Sequence, residues 1–168
     1  MEQQPITIHP EDVPKGYAVC YHEHCPHAAT CARYAAGQVV LSTREAGNAV
    51  YPSSLKADGT CIRFRPLRTI RAAWGFRSLF HDVKHEAYAL LRWEVISLFS
   101  SESDFWRYNR GHYKLSPERQ EEILDIFRRH GYGTEDRRFD HYQEMTDFLP
   151  DRPLNPSKDM LKDFHPNF

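Results

Sequence analysis

Apolar positions recur at helical spacing most clearly between residues 83 and 132. Within residues 83–99, Ala87, Leu91, Val95 and Leu98 fall on one stripe, which predicts an amphipathic helix. Ser101 then offers an N-cap, with Asp104 three residues on in a capping-box pattern. The helix it opens is expected to end near Gly111, a residue suited to the left-handed conformation after a C-terminus. Ser116-Pro117 reads as an N-cap followed by proline at the first helical position. Ile123, Leu124 and Phe127 give that helix a buried face, and Gly131 stops it. Further upstream, residues 67–80 place Ile70, Trp74, Phe76 and Phe80 at a mostly helical spacing broken by Gly75, so a helix is expected there too.

The first third is less regular. Ile6, Ile8 and Val13 are scattered anchors in an extended lead-in, where Pro10 and Pro14 discourage a helix. The alanine-rich stretch from Cys25 to Ala36 predicts a short helix stopped by Gly37, and Val39-Val40-Leu41 a short strand. Residues 42–60 read as a loop. Ile62, Phe64 and Leu67 alternate with Arg63 and Arg65, as in a half-exposed strand. At the other end, Pro150, Pro153, Pro156 and Pro166 forbid a long helix. Phe139, Tyr142, Phe148, Leu154, Leu161, Phe164 and Phe168 are isolated anchors of a tail that wraps its own domain or docks on a partner. There are no internal repeats.

The pattern as a whole predicts an α+β fold, predominantly helical. A Cys/His-rich N-terminal lobe (1–66) is followed by a helical lobe (67–132) and a Pro-containing acidic tail (133–168). At 168 residues, 40% of them hydrophobic and 13% aromatic, the chain can bury a core without covalent staples. It opens on a polar stretch with no targeting pattern and has no apolar run near the roughly 18 residues of a membrane span. A reducing cytoplasm is therefore expected, where cysteines serve as thiols or metal ligands.

A net charge of −1 conceals a strong asymmetry. Residues 63–114 carry 10 basic and 5 acidic side chains, whereas residues 115–168 carry 8 basic and 12 acidic. The basic middle suits a polyanionic partner, or else arginines on solvated helix faces. Arg63, Arg65, Arg68, Arg71 and Arg77 are the candidate phosphate contacts.

The four cysteines, Cys20, Cys25, Cys31 and Cys61, are spaced C-x4-C-x5-C-x29-C, with His22, His24 and His27 interspersed. Zinc takes four tetrahedral sulfur or imidazole ligands, often two from one tight turn and two from elsewhere. Cys20 and Cys25 supply such a turn, Cys31 and Cys61 complete the set, and any one histidine is an alternate. An iron–sulfur cluster is a weaker fit to this spacing, and buried unmetallated thiols are the plain alternative. No nucleophile elbow or oxyanion loop accompanies the cysteines, so the expected role is not enzymatic.

Residues 101–132 also carry a resemblance. Ser101, Arg107, Gly111, Leu115-Ser116, Glu118, Ile123-Leu124 and Gly131-Tyr132 match in register the end of the DNA-binding headpiece of the lactose-repressor family. The resemblance implies a helix-turn-helix unit whose 101–110 helix lies in the major groove. Asp104, Trp106, Arg107, Asn109 and Arg110 would then face nucleic acid, with His112 and Lys114 near phosphates. Phe99 stands where that family's turn has glycine, and Asn109 where an apolar residue is expected.

The full chain resembles an uncharacterised bacterial family, through Cys25-Pro26, Cys31-Ala32-Arg33-Tyr34, Cys61 with Phe64, and the Trp74 to Tyr132 block. That resemblance implies a fold plan and no activity. The expected function is a nucleic-acid-associated regulatory or binding protein, of DNA or RNA, with a structural metal site. A protein-interaction adaptor anchored by Trp106, Tyr108 and Tyr113 is the first alternative. A metalloenzyme is the second.

Overall fold

The computed structural model describes residues 6–150, and the predicted anchors beyond Pro150 lie outside the described residues. The fold is α+β: α1 (Ala32–Val40), β1 (Thr69–Trp74), α2 (His85–Ser97), α3 (Glu102–Asn109), α4 (Pro117–Arg129) and β2 (His141–Thr146), with four short 3-10 turns. β1 and β2 form a two-stranded antiparallel sheet. Long irregular stretches separate these elements, so the expected predominance of helix is not found. Among the described residues no helix is long and apolar enough to cross a membrane. Within this range the chain divides into two compact units, one of residues 6–70 with 145–150 and one of 71–144.

The first unit has a small core of Val13, Tyr17, Val19, Ala32, Ala36, Val40 and Phe148. α1 starts later and ends later than the alanine pattern implied. Gly37 does not stop it but sits inside it, because a Cβ there would collide with the carbonyl of Cys20. The backbone of the cysteine segment thus rests directly on the helix, an approach only glycine permits. Val39 and Val40 are consequently the last helical turn and not a strand, with Val40 buried against the core. The expected strand over 62–67 is also absent. Phe64 and Ile62 are exposed, and the segment is held by an isolated bridge from Cys31 to Pro66.

The second unit is built on Phe76. Its ring stacks on Phe105 at 4.9 Å and meets Phe99 at 5.7 Å and Phe139 at 6.1 Å. Residues 67–80 are not a helix. Thr69–Trp74 is a strand, with Ile70, Ala72 and Ala73 buried, and a 3-10 turn follows at Arg77–Phe80. β-branched Thr69 and Ile70 favour the extended form. Gly75 turns the chain at φ +79°, where a Cβ would press on the Asp140 carboxyl at 2.6 Å.

From residue 83 onward the expected helices are present. Leu91 and Val95 of α2 and Ile123 and Phe127 of α4 are buried, with Ala87, Leu98 and Leu124 packed beside them. The Ser101 hydroxyl accepts from the Asp104 amide at 3.1 Å. Pro117 opens α4, and Gly111 and Gly131 adopt φ of +78° and +79° after α3 and α4. The His130 imidazole meets Glu94 at 2.7 Å, tying the end of α4 to α2.

Buried charges secure both units. In the first, Asp147 is 1% exposed and accepts from Arg65 at 3.1 Å and Arg68 at 2.9 Å. In the second, Arg137 is buried, donates to the carbonyls of Leu79 and Gly133, pairs with Asp82 at 2.7 Å and covers the Phe127 ring at 4.6 Å.

Candidate functional site

In the first unit, Cys20, Cys25, Cys31 and Cys61 all line one cavity of about 20 Å³, together with His27 and Arg33. That volume admits a single water-sized sphere, for which roughly 10–15 Å³ suffices. Cys31 is buried and the other three are half-buried; all four are free thiols. Among the described residues, no group of three or more Cys, His, Asp or Glu side chains stands placed to hold a metal ion.

Local structure explains why these cysteines reach one place. The Cys20 amide donates to the Arg33 carbonyl at 2.9 Å, beside Gly37. Cys25 sits in consecutive tight turns, its amide donating to His22 O and its carbonyl accepting from Ala28. Cys31 caps α1. Cys61 returns from a turn bridged to Leu55, in which Gly59 takes φ +84°. The hydroxyl and amide of Thr60 hold the Asp58 carboxyl of that turn below the ordinary range. His27 Nε2 lies 2.8 Å from Gly59 O, and its ring tilts against Phe64 at 5.2 Å. His22 and His24 do not line the cavity.

The composition gave no sign of Arg33, which is 4% exposed and organises this lobe. Its Nε donates to Arg63 O and its Nη1 to Ala18 O, both at 2.8 Å, and its guanidinium lies over Tyr17 at 5.0 Å. One side chain thus fastens the segments bearing Cys20 and Cys61 to the helix capped by Cys31.

The second unit carries a different surface. Trp106 of α3 is 39% exposed, with the guanidinium of Arg92 at 5.8 Å and that of Arg110 at 6.0 Å from its ring. Arg107 stands 5.9 Å from Tyr113, and Lys114 5.1 Å from Trp74, whose ring stacks on His141. Lys114 also donates to Gln143 at 2.5 Å. His112 is exposed. The opposite face of α3 is interior: Phe105 and Tyr108 belong to the core and Asp104 is buried, accepting from Ser100 Oγ and standing 3.9 Å from Arg107. Asn109 Oδ1 accepts from the Phe76 amide at 3.0 Å, so this side chain fastens α3 to the chain after β1.

The five arginines between residues 63 and 77 are not alike. Arg65 and Arg68 are engaged by Asp147, because a buried carboxylate requires compensating charge. Arg63 is exposed and lines the cysteine cavity. Arg71 covers Tyr142 at 4.1 Å, and Arg77 is exposed, its amide donating to Asp140 at 3.0 Å. Arg92 was missing from the predicted set; its place on α2 opposite Trp106 could be seen only once α2 and α3 had packed.

The chain matches no curated protein and no solved structure. A family model does match residues 1–148, nearly the whole of the described chain, and the protein belongs to that family of unknown function, DUF6078.

Proposed function

We propose that the protein is a non-catalytic nucleic-acid-binding protein and that the outer face of α3 makes the contact. The supporting observation is Trp106, an exposed indole with the guanidinium groups of Arg92 and Arg110 at 5.8 and 6.0 Å from its ring. Alternating aromatics and cations suit nucleic acid because bases stack on rings while phosphates pair with the cations. Arg107 with Tyr113, and Lys114 with Trp74, extend the same alternation. α3 buries one side and leaves Trp106, Arg107 and Arg110 open, as a helix that lies in a groove requires. Asp104 and Asn109 serve the fold in this proposal and leave base contact to the arginines.

Fluorescence anisotropy with labelled single-stranded DNA, duplex DNA and structured RNA, at stepped salt, tests the proposal. Binding to at least one of them is expected, falling steeply with salt as neutralised phosphates release counterions. Trp106→Ala should weaken it about 10- to 100-fold, the worth of roughly one stacked base. Undetectable binding to all three at low salt overturns the proposal.

A second reading rests on the same residue. Exposed tryptophan flanked by arginine is also the composition of energetic centres in protein interfaces. A stable protein partner lost in Trp106→Ala, with no nucleic-acid binding by the intact chain, would favour that reading.

A further inference from the structure

We propose that Cys20, Cys25, Cys31 and Cys61 bind one zinc ion as a closed four-thiolate site. These cysteines come from three separate stretches of the first unit yet border one cavity of about 20 Å³. Space for one water-sized sphere is on the scale a single ion needs. Binding turns the thiols inward and releases their protons as zinc–sulfur bonds of about 2.3 Å form.

The need for such a site is visible in the packing. None of residues 41–66 is buried, and Tyr51, Ile62 and Phe64 stand exposed at 76%, 66% and 39%. The stretch carries one 3-10 turn at Pro52–Ser54 and is tied by isolated bridges at Ala49, Cys61 and Pro66. Loops of this length are uncommon in compact domains unless something holds them. Here apolar burial does not hold the loop, for none of its residues belongs to the core of the unit. Cys61 lies near the end of this stretch, so ligation would fasten it to the 20–31 segment. Metal binding supplies folding free energy where a small lobe lacks a sufficient core.

The electrostatics agree. Zinc with four thiolates carries a net charge of −2, and Arg33 and Arg63 border the same cavity. The structure also separates the histidines: His22 and His24 are off the cavity, and the Nε2 of His27 is taken up by Gly59 O. We assign His27 to positioning of the 59–61 turn. Four protein ligands leave no open coordination position, so the metal is structural and not catalytic.

The test uses untagged full-length protein purified anaerobically under reducing conditions. Elemental analysis should return one zinc per chain, and cobalt substitution should give the intense sulfur-to-cobalt charge-transfer and d–d bands of a tetrahedral thiolate site. Cys20→Ser, Cys25→Ser, Cys31→Ser and Cys61→Ser should each weaken those bands, while His27→Ala should retain both stoichiometry and spectrum. Because serine variants can misfold, chelation of the unmutated protein is the second arm, expected to speed proteolysis within residues 41–66. A chain that takes up no zinc or cobalt on anaerobic refolding, or that carries iron–sulfur absorbance, overturns the site. Cobalt bands lost in His27→Ala but kept in a cysteine variant overturn the ligand set.

Discussion

The backbone at Gly111 lies against the indole of Trp74, close enough that a Cβ on residue 111 would stand 2.7 Å from ring carbon and nitrogen. The residue also holds φ +78°, so an alanine there meets both backbone strain and a collision with an aromatic ring. Gly111→Ala should destabilise the protein by about 1–3 kcal/mol, as overpacking and positive-φ substitutions do. Denaturant titration followed by tryptophan fluorescence checks the magnitude. Gly131→Ala offers the comparison: it has the same backbone conformation with open space around the added carbon, and should cost less.

Removing the carboxylate of Asp147 should be among the most damaging single changes in the first unit. It is 1% exposed and compensated by two guanidinium groups, which keep partial access to water with side chains 21% and 41% exposed. Breaking a buried pair costs about 3–5 kcal/mol. Asp147→Ala should fall at the lower end of that range, because both arginines keep access to water and Arg65 still donates to Leu149 O. Chemical denaturation with an unchanged m-value would confirm a stability effect; a loss below about 1 kcal/mol would contradict the role given to this pair.

Arg137 makes the corresponding commitment in the second unit, where it reaches Leu79 O, Gly133 O, Asp82 and the Phe127 face. Arg137→Lys retains the charge but not the fork, and should destabilise by about 1–3 kcal/mol because buried carbonyls lose their donors. Thermal unfolding of the lysine and methionine variants side by side separates the lost hydrogen bonds from the lost charge.

Asp140 provides a pH dependence whose direction follows from its partners. Burial pushes its carboxyl up, but the Ser78 side chain and the Ser78 and Arg77 amides outweigh this and hold it below the ordinary carboxylate value. A carboxyl with a lowered folded value contributes stability above its unfolded value, and that contribution is lost as pH falls through the folded one. Acid unfolding of Asp140→Asn should therefore be less steep below about pH 4 than that of the unmutated protein, with lower stability at neutral pH. Equal stability of the two proteins at pH 7 would show that the carboxylate is not needed to hold the 77–78 turn.

Charge reversal tests the α3 face independently of folding. Arg110 is exposed, its guanidinium 6.0 Å from the exposed Trp106 ring, so Arg110→Glu should change the melting temperature little while weakening nucleic-acid binding. The slope of log affinity against log salt should shrink by about 1 or more, one phosphate contact having been removed and one repulsion added. An unchanged slope would place the contact elsewhere.

What could be read before folding was whatever short-range chemistry specifies. The caps at Ser101 and Pro117, the left-handed glycines 111 and 131 and the Leu91–Val95 stripe are decided within one or two helical turns. Their signals survive in a bare string of letters. The helix wrongly expected over 67–80 shows the limit. Ile70, Trp74 and Phe76 fit a helical period, yet pairing with His141–Thr146 holds residues 69–74 extended, and that partner lies seventy residues away. Gly37 failed in the same way, because its meaning was the approach of Cys20 and not the end of a helix.

The sequence alone determined the inventory: three capped or striped helices between residues 83 and 131, four cysteines with interleaved histidines, and a basic middle. Only the tertiary structure decided how that inventory is used. It put all four cysteines on one cavity and left two histidines off it, spent Arg65 and Arg68 on Asp147, buried Arg33 and Arg137, and set Arg92 beside Trp106. The physical reason is that a charge or a thiol has no fixed role of its own; its role depends on what the fold removes from water beside it.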